Sequence, residues 1–434
     1  MEQGTGNDLL VGTAEVEITP PVGTALAGSL WPRASEGIDD PLYVKAVVLE
    51  SEGRRLAYGI FDLIAVGRAE GDRAVELASE RSGIPCDHIV WAASHTHTGP
   101  YSAPLLDQTD GDIDDAWLDG IADAFARCIA EADAAKVPAR ISRLRGFHTG
   151  LAHNRRVVFK DGRAVNTWNL GRAEDVQSVG SAGPIDPEIG ILAFDGADGG
   201  LLAVLFHFTL HTATNFGPRF SADYPGVVAA QIRERLGSEG STLFLPGTFA
   251  DQNSTGPRYQ AVGEALASVI AGQLEGRVPL KSATSLGALK REVAVPYRDF
   301  SVDQEERIRS SGWSPEAQEV FRREVELMRE RGETEATTVL QAWRIGDVGF
   351  VSLPGEPFVE LGLRIKRESP FTWTYPVGYA GDHLGYLVTP EAWEAGGYES
   401  LIARSARPSA EGVSHLVDEA LDLLRTLYDE GREP

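Results

Sequence analysis

The stretch His88-Ile89-Val90-Trp91-Ala92-Ala93, followed by Ser94-His95-Thr96-His97-Thr98-Gly99-Pro100, organises the whole reading. The first six residues are mostly apolar and β-prone, which predicts a short buried strand. The seven that follow turn polar and end on Gly-Pro, which predicts a loop leaving the strand end. In an extended chain residues i and i+2 share a face, so His95 and His97 would aim two imidazoles at one point. That pattern suits a divalent metal. The bland alternative is a pair of surface histidines, but the chain has only nine histidines and two stand in this tripeptide.

Working outward, strands alternate with helices. Leu42–Glu50 and Arg55–Phe61 read as a hairpin about Ser51-Glu52-Gly53, and 69–82 as a helix between Phe61 and the strand at 88–93. Residues 115–132 carry Leu118, Ile121, Phe125 and Ile129 at helical spacing. Ile189–Phe194 and Leu201–Thr209 predict a second hairpin, and Val339–Ile345 and Val348–Leu353 a third about Gly346-Asp347. Helices are expected from Pro225 to Leu236 with Asp223 as N-cap, over 261–274, and from Ser314-Pro315-Glu316 to Arg331. A last one carries Val413, Leu416, Val417, Ala420, Leu421 and Leu424 on one face. Two Gly/Asp/Ser-rich stretches, 102–114 and 171–187, read as loops over a site. The expectation is one integrated α/β (α+β) domain over residues 1–434, with mixed or antiparallel sheets flanked by helices.

This pattern separates families of zinc hydrolase. Enzymes of the metallo-β-lactamase type continue their His-x-His into x-Asp-His, whereas Thr98-Gly99-Pro100 stands here. An amidohydrolase barrel needs repeated βα units, which the hairpins oppose.

Further candidates lie far along the chain. In Phe206-His207-Phe208-Thr209-Leu210-His211-Thr212, His207 and His211 share a face if the strand continues, and one of them is a credible further ligand. Leu353-Pro354-Gly355-Glu356-Pro357 makes a sharp turn that swings Glu356 away from the sheet with little conformational freedom. Arg155, within Asn154-Arg155-Arg156, and the aromatics of Gly385-Tyr386 and Gly397-Tyr398 read, taken singly, as a loop basic pair and as packing.

The acidic residues outnumber the basic ones 64 to 40, a net charge of −24. Such a surface disfavours nucleic acid and anionic membranes as partners. No apolar run is long enough for an integral membrane segment. No signal peptide is visible at Met1-Glu2-Gln3-Gly4, so a cytoplasmic location is expected. Of the two cysteines, Cys128 falls on an apolar helix stripe and is expected to be a buried free thiol.

Together and in order, these motifs resemble the catalytic domain of the neutral/alkaline ceramidase family, along nearly the whole chain. Val11-Gly12-Thr13-Ala14-Glu15-Val16-Glu17-Ile18-Thr19-Pro20 is similar to that family's first strand, and Asp39-Asp40-Pro41-Leu42 to the start of its second. Ser94–Pro100 is similar to its Thr-His-Thr-His-Ser-Gly-Pro. The resemblance implies one Zn2+ per chain, held by His95, His211, Glu356 and Tyr386. It also implies catalytic roles for His97, Arg155, Tyr386 and Tyr398. It leaves room for a structural Ca2+ or Mg2+ that no motif places. The sequence departs from the family in two ways. Asn253, in Ala250-Asp251-Gln252-Asn253-Ser254-Thr255, falls at or next to the family's serine, with Ser254 adjacent. The family's C-terminal immunoglobulin-like domain is not expected within these 434 residues.

The activity so implied is hydrolysis of a linear amide by metal-activated water, on a small-molecule or lipid N-acyl substrate. Arg155 and Tyr398 would stabilise the oxyanion, His97 would act as general acid, and Asn253 would donate a hydrogen bond to the substrate. Two alternatives stand beside it: a zinc esterase or deacylase acting on a small non-lipid compound, and a non-catalytic binding protein that retains the fold.

Overall fold

A computed structural model of the chain describes residues 9–106, 114–170, 178–237, 239–256, 258–280 and 284–431. The two loops expected over the site lie partly outside these residues.

An eight-stranded sheet runs in the order Ser241–Pro246, Leu201–Phe208, Glu188–Gly196, Val137–Phe147, Leu10–Glu17, Tyr43–Ser51, Arg54–Phe61, Ile89–Ala93. Its interior pairs are antiparallel, including both predicted hairpins, whereas the two outermost pairs are parallel. Each parallel pair is joined by a helical crossover, Arg68–Ser82 on one edge and Asp223–Leu236 on the other. The sheet rolls until its far edges meet: the Tyr58 hydroxyl donates to the Phe244 carbonyl at 2.7 Å. Strand twist accumulated over eight strands produces that closure.

A second sheet, in the order Leu286–Pro296, Glu335–Ile345, Val348–Ser352, Trp373–Val377, repeats the device. Its last pair is parallel and is joined through the helix Val359–Glu368. Trp343 stacks on Tyr58 at 6.3 Å, and Gln341 Nε2 donates to the Asp87 carbonyl at 2.7 Å, so the two sheets abut. The C-terminal helix Ala410–Glu430 covers the second sheet with the apolar face read from sequence, all six of those residues being buried. Burying each large aliphatic side chain there contributes about 1.5–3 kcal/mol. Cys128 is buried in the helix Asp115–Ala134, as expected. Among the described residues no helix is long and apolar enough to cross a membrane.

Three local expectations need correction. Asp223 is the first residue of its helix and not its N-cap; it has φ +58°. Its carboxylate accepts from the backbone N–H of Thr214 (2.9 Å) and Asn215 (2.8 Å) and from the Thr214 hydroxyl. The Ala222 N–H is satisfied by Asp40 instead, at 2.7 Å. The Leu201 strand ends at Phe208, so His207 and His211 do not share a face; His207 is tied to the Pro376 carbonyl at 2.9 Å. Finally, His95 has a left-handed backbone, φ +66°, so the two motif imidazoles converge through a turn and not along an extended strand.

Candidate metal centre

The site forms where the parallel strand pairs end. His95 and His97 follow the strand Ile89–Ala93, and His211 follows Leu201–Phe208. Asn253 follows Ser241–Pro246, and Glu356 follows Val348–Ser352. Chain leaving the carboxyl ends of parallel strands is freed together at one level, which is where open α/β sheets place their sites. Gly355 makes the last step. At φ +153° it brings its backbone so close to Gly385 that a Cβ would lie 2.3 Å from the Gly385 carbonyl oxygen. Glu356 then pairs in parallel register with Tyr386.

Three imidazole nitrogens meet. His95 Nε2 lies 3.0 Å from His211 Nε2, and His97 Nε2 lies 3.2 Å from both. Glu356 Oε2 is 3.4 Å from His95 Nε2 and 3.8 Å from His211 Nε2. The opposite nitrogens are already committed. His95 Nδ1 faces the Ile64 carbonyl at 2.7 Å and His97 Nδ1 the Gly28 carbonyl at 2.8 Å. The Phe249 backbone bonds His211 in the sense that favours its protonated ring. Arg155 Nη1 also stands 3.2 Å from His211 Nδ1. A guanidinium only donates, so His211 Nδ1 accepts this bond when it is bare and meets it as a close approach when it carries the hydrogen; the bonds to Glu399 and Tyr386 define where Arg155 sits. With each Nδ1 carrying the hydrogen, three lone pairs and a carboxylate oxygen point at one another. Glu356 Oε2, buried, has no hydrogen-bond partner. Such a cluster is repulsive until a cation sits within it.

Three nitrogens this close could share one metal ion. Local electrostatics agree. Burial, then the neighbouring His95, pulls His97 down to about 3. Burial, then Arg155, holds His211 well below the ordinary imidazole range. Burial would raise Glu356, but His95 and Arg155 outweigh it and bring the carboxyl to about 2. His97, expected as a proton donor, thus has a ligand's geometry.

Beside the cluster stands a buried cation. Arg155 Nε donates to Glu399 at 2.7 Å and Arg155 Nη2 to the Tyr386 hydroxyl at 3.1 Å. Glu399, fully buried, also accepts from Arg156 (3.1 Å) and Asn166 (2.7 Å). Burial opposes the Arg155 charge, but Tyr386, Glu399 and Glu356 over-compensate and keep it protonated. The Tyr398 ring meets Tyr386 edge-on at 5.4 Å, and Trp168 lies 5.1 Å from the Arg155 guanidinium. Burial, then the Glu356 charge, raises both tyrosines, so their hydroxyls keep their protons at neutral pH. Asn253 Oδ1 lies 3.4 Å from Arg155 Nη1, whereas Ser254 Oγ accepts from the Gly256 N–H at 3.3 Å. Strand alternation therefore turns Asn253 to the site. His97, Asn253 and Tyr398 are only partly buried, so the site opens on their side.

Of the site candidates read from sequence, His95, His97, His211, Glu356, Arg155, Tyr386, Tyr398 and Asn253 come together, whereas His207 and Ser254 do not. Glu399, Trp168 and Tyr379 were not anticipated. Glu399 directly follows Tyr398 in the chain, but a fully buried Glu required two arginines that sequence alone could not bring to it. Nothing local marked Tyr379.

Comparison with models of known protein families gives no match. In sequence the chain is similar to the neutral ceramidase of Pseudomonas aeruginosa, 23% identical over 85% of this chain, and spans 64% of that protein's length. In structure it resembles the crystal structure of neutral ceramidase from Pseudomonas aeruginosa, with a TM-score of 0.73 and 19% identity. It also resembles a structure described as ceramidase complexed with C2, with a TM-score of 0.71 and 19% identity. Each alignment covers 97% of this chain and 75% of the other. The mixed α/β architecture is thus the fold shared with those ceramidase structures.

Proposed function

We propose that this neutral-ceramidase-like chain is a zinc-dependent hydrolase of N-acyl amide bonds. The observation that carries the proposal is the meeting of three imidazole Nε2 atoms with the unpartnered Glu356 Oε2, next to a buried Arg155. The similarity to a neutral ceramidase supplies the bond type.

His95, His97, His211 and Glu356 would hold the ion, with the Tyr386 hydroxyl adjacent through its register with Glu356. A zinc ion supplies two things when bound: water acidic enough to ionise at about pH 7, and polarisation of the scissile carbonyl. The chain's own groups do the rest. Arg155, held charged and fixed by Glu399, and the protonated Tyr398 hydroxyl are pre-set donors for negative charge developing on the carbonyl oxygen. Removing one such donor costs about 10²–10³ in rate. Asn253 lies within reach of Arg155 at the open side and can orient the amide. The exposed Phe216, edge-on to His97 at 5.9 Å, and Trp168 give that opening an apolar rim. Such a rim suits an acyl chain, and a ceramide-like lipid is the corresponding substrate class.

The test is metal analysis of purified protein together with a panel of N-acyl and O-acyl substrates, with His95→Ala as control. Near-stoichiometric zinc and amide cleavage lost in the variant are expected. Cleavage by protein stripped of metal contradicts the scheme, and turnover of esters alone would replace the amide assignment.

A further inference from the structure

Tyr379 touches two of the candidate ligands at once. Its hydroxyl donates to Glu356 Oε1 at 2.9 Å. Its ring lies against the His95 imidazole, centroids 4.7 Å apart and planes 20° apart, while Phe249 covers His95 at 5.0 Å. Its backbone joins the two chain segments that deliver those ligands. The Tyr379 N–H donates to the Gly355 carbonyl at 2.8 Å, and its own carbonyl accepts from the Ala93 N–H at 3.0 Å. Tyr379 is fully buried and has φ +46°, a left-handed conformation that a non-glycine residue keeps only where its surroundings over-determine it.

A carboxylate can grip a divalent ion through one oxygen or both. Here one oxygen is occupied by the phenol and the other, Oε2, faces the three nitrogens without a partner. Resting on the metal-hydrolase reading above, we propose that Tyr379 is a positioning residue: it locks the plane of His95 and holds back one oxygen of Glu356, so that this carboxylate would occupy one coordination position and not two.

The test is Tyr379→Phe, which keeps the stacked ring and removes only the donor. The protein is stripped of metal, and zinc affinity is measured by competition with a chelating dye. Ligand-orienting hydrogen bonds of this kind are worth about 10–100-fold in metal affinity, and that loss is expected. The cobalt(II) form provides a second readout, because d–d absorption weakens as coordination number rises. The variant's bands should weaken relative to the parent's. Tyr375→Phe, which removes a buried hydroxyl bonded to Glu188, should move neither readout. Zinc affinity and cobalt spectrum unchanged in Tyr379→Phe overturn this inference while leaving the hydrolase reading standing. A parent protein that takes up no divalent ion overturns both.

Discussion

Replacing Glu399 with glutamine removes one negative charge from a place where two guanidinium groups depend on it. Glu399 Oε1 accepts from Arg155 Nε and Asn166 Nδ2, both at 2.7 Å, and Oε2 from Arg156 Nη1 at 3.1 Å. All of these groups are buried. If the glutamine oxygen stays with Arg155 and Asn166, its NH2 must face Arg156, donor against donor. If it flips, Arg155 loses its partner. Breaking a buried ion pair costs about 3–5 kcal/mol, because a charge is left without compensation in a poorly polarisable surrounding. Since two of the three bonds survive in the better orientation, the loss should fall at the lower end, about 3 kcal/mol. Asp119→Asn is the matched control. Asp119 pairs with Arg73 in water, both side chains being more than half exposed, and should cost under about 1 kcal/mol. Urea unfolding of both variants, followed by far-ultraviolet circular dichroism, gives the comparison. Activity adds a second axis: Arg155, still bonded but no longer facing a full negative charge, should lower kcat/KM, by less than the roughly 10²-fold that loss of such a donor costs. A Glu399→Gln protein no less stable than Asp119→Asn, with kcat/KM intact, would refute the account of Arg155 as a preset cation.

Other outcomes follow from the same geometry. Zinc added to metal-free protein at about 1,000 times its dissociation constant should raise the unfolding free energy by about 4 kcal/mol; a melting temperature indifferent to zinc speaks against the site. His97→Ala should weaken zinc binding at least about tenfold if His97 is a ligand, whereas retained zinc with reduced kcat would restore it to the role of proton donor. Asn253→Ala should lower turnover with zinc content unchanged, and lost zinc would mean that Asn253 has been misplaced. Asp62 is raised from 3.8 to about 6 by burial. The folded state therefore holds that proton more tightly than the unfolded chain. Its contribution is fully present below the unfolded pKa and is lost as pH rises through about 6, a change of about 3 kcal/mol. Asp62→Asn should gain on the parent by about that amount between about pH 4 and pH 7, as urea unfolding at the two values will show; parallel pH profiles would contradict the linkage.

Sequence patterning revealed the parts better than their joins. Hairpins announced themselves through alternating runs about Gly-containing turns, and helices through Leu118, Ile121, Phe125 and Ile129 or the Val413–Leu424 stripe. Crossovers were harder, because a strand buried on both faces shows no alternation and nothing local says which strand it will join. The His95–His97 pair was legible as a metal motif, yet its imidazoles converge through a left-handed turn at His95 and not along an extended backbone. Asp223 illustrates the limit. A carboxylate one or two residues before a helical run looks like a cap, and only the fold brings Thr214 and Asn215 close enough to claim it. Tyr379 was invisible for the same reason, its partners being Glu356 and His95.

The ends of three separate parallel strand pairs supply the ligands, at positions 95, 211 and 356. An ion gripped by all of them is therefore a tie between segments that no short loop connects. Closing such distant segments is entropically slow, so the grip completes only after the rolled sheet and its neighbour have docked. A growing polypeptide leaving the ribosome could not close the cage before its second sheet exists. Metal loading would thus report assembly of the finished molecule rather than assist its early collapse, and chelation during refolding should leave the first, rapid burial of aromatic side chains unaltered.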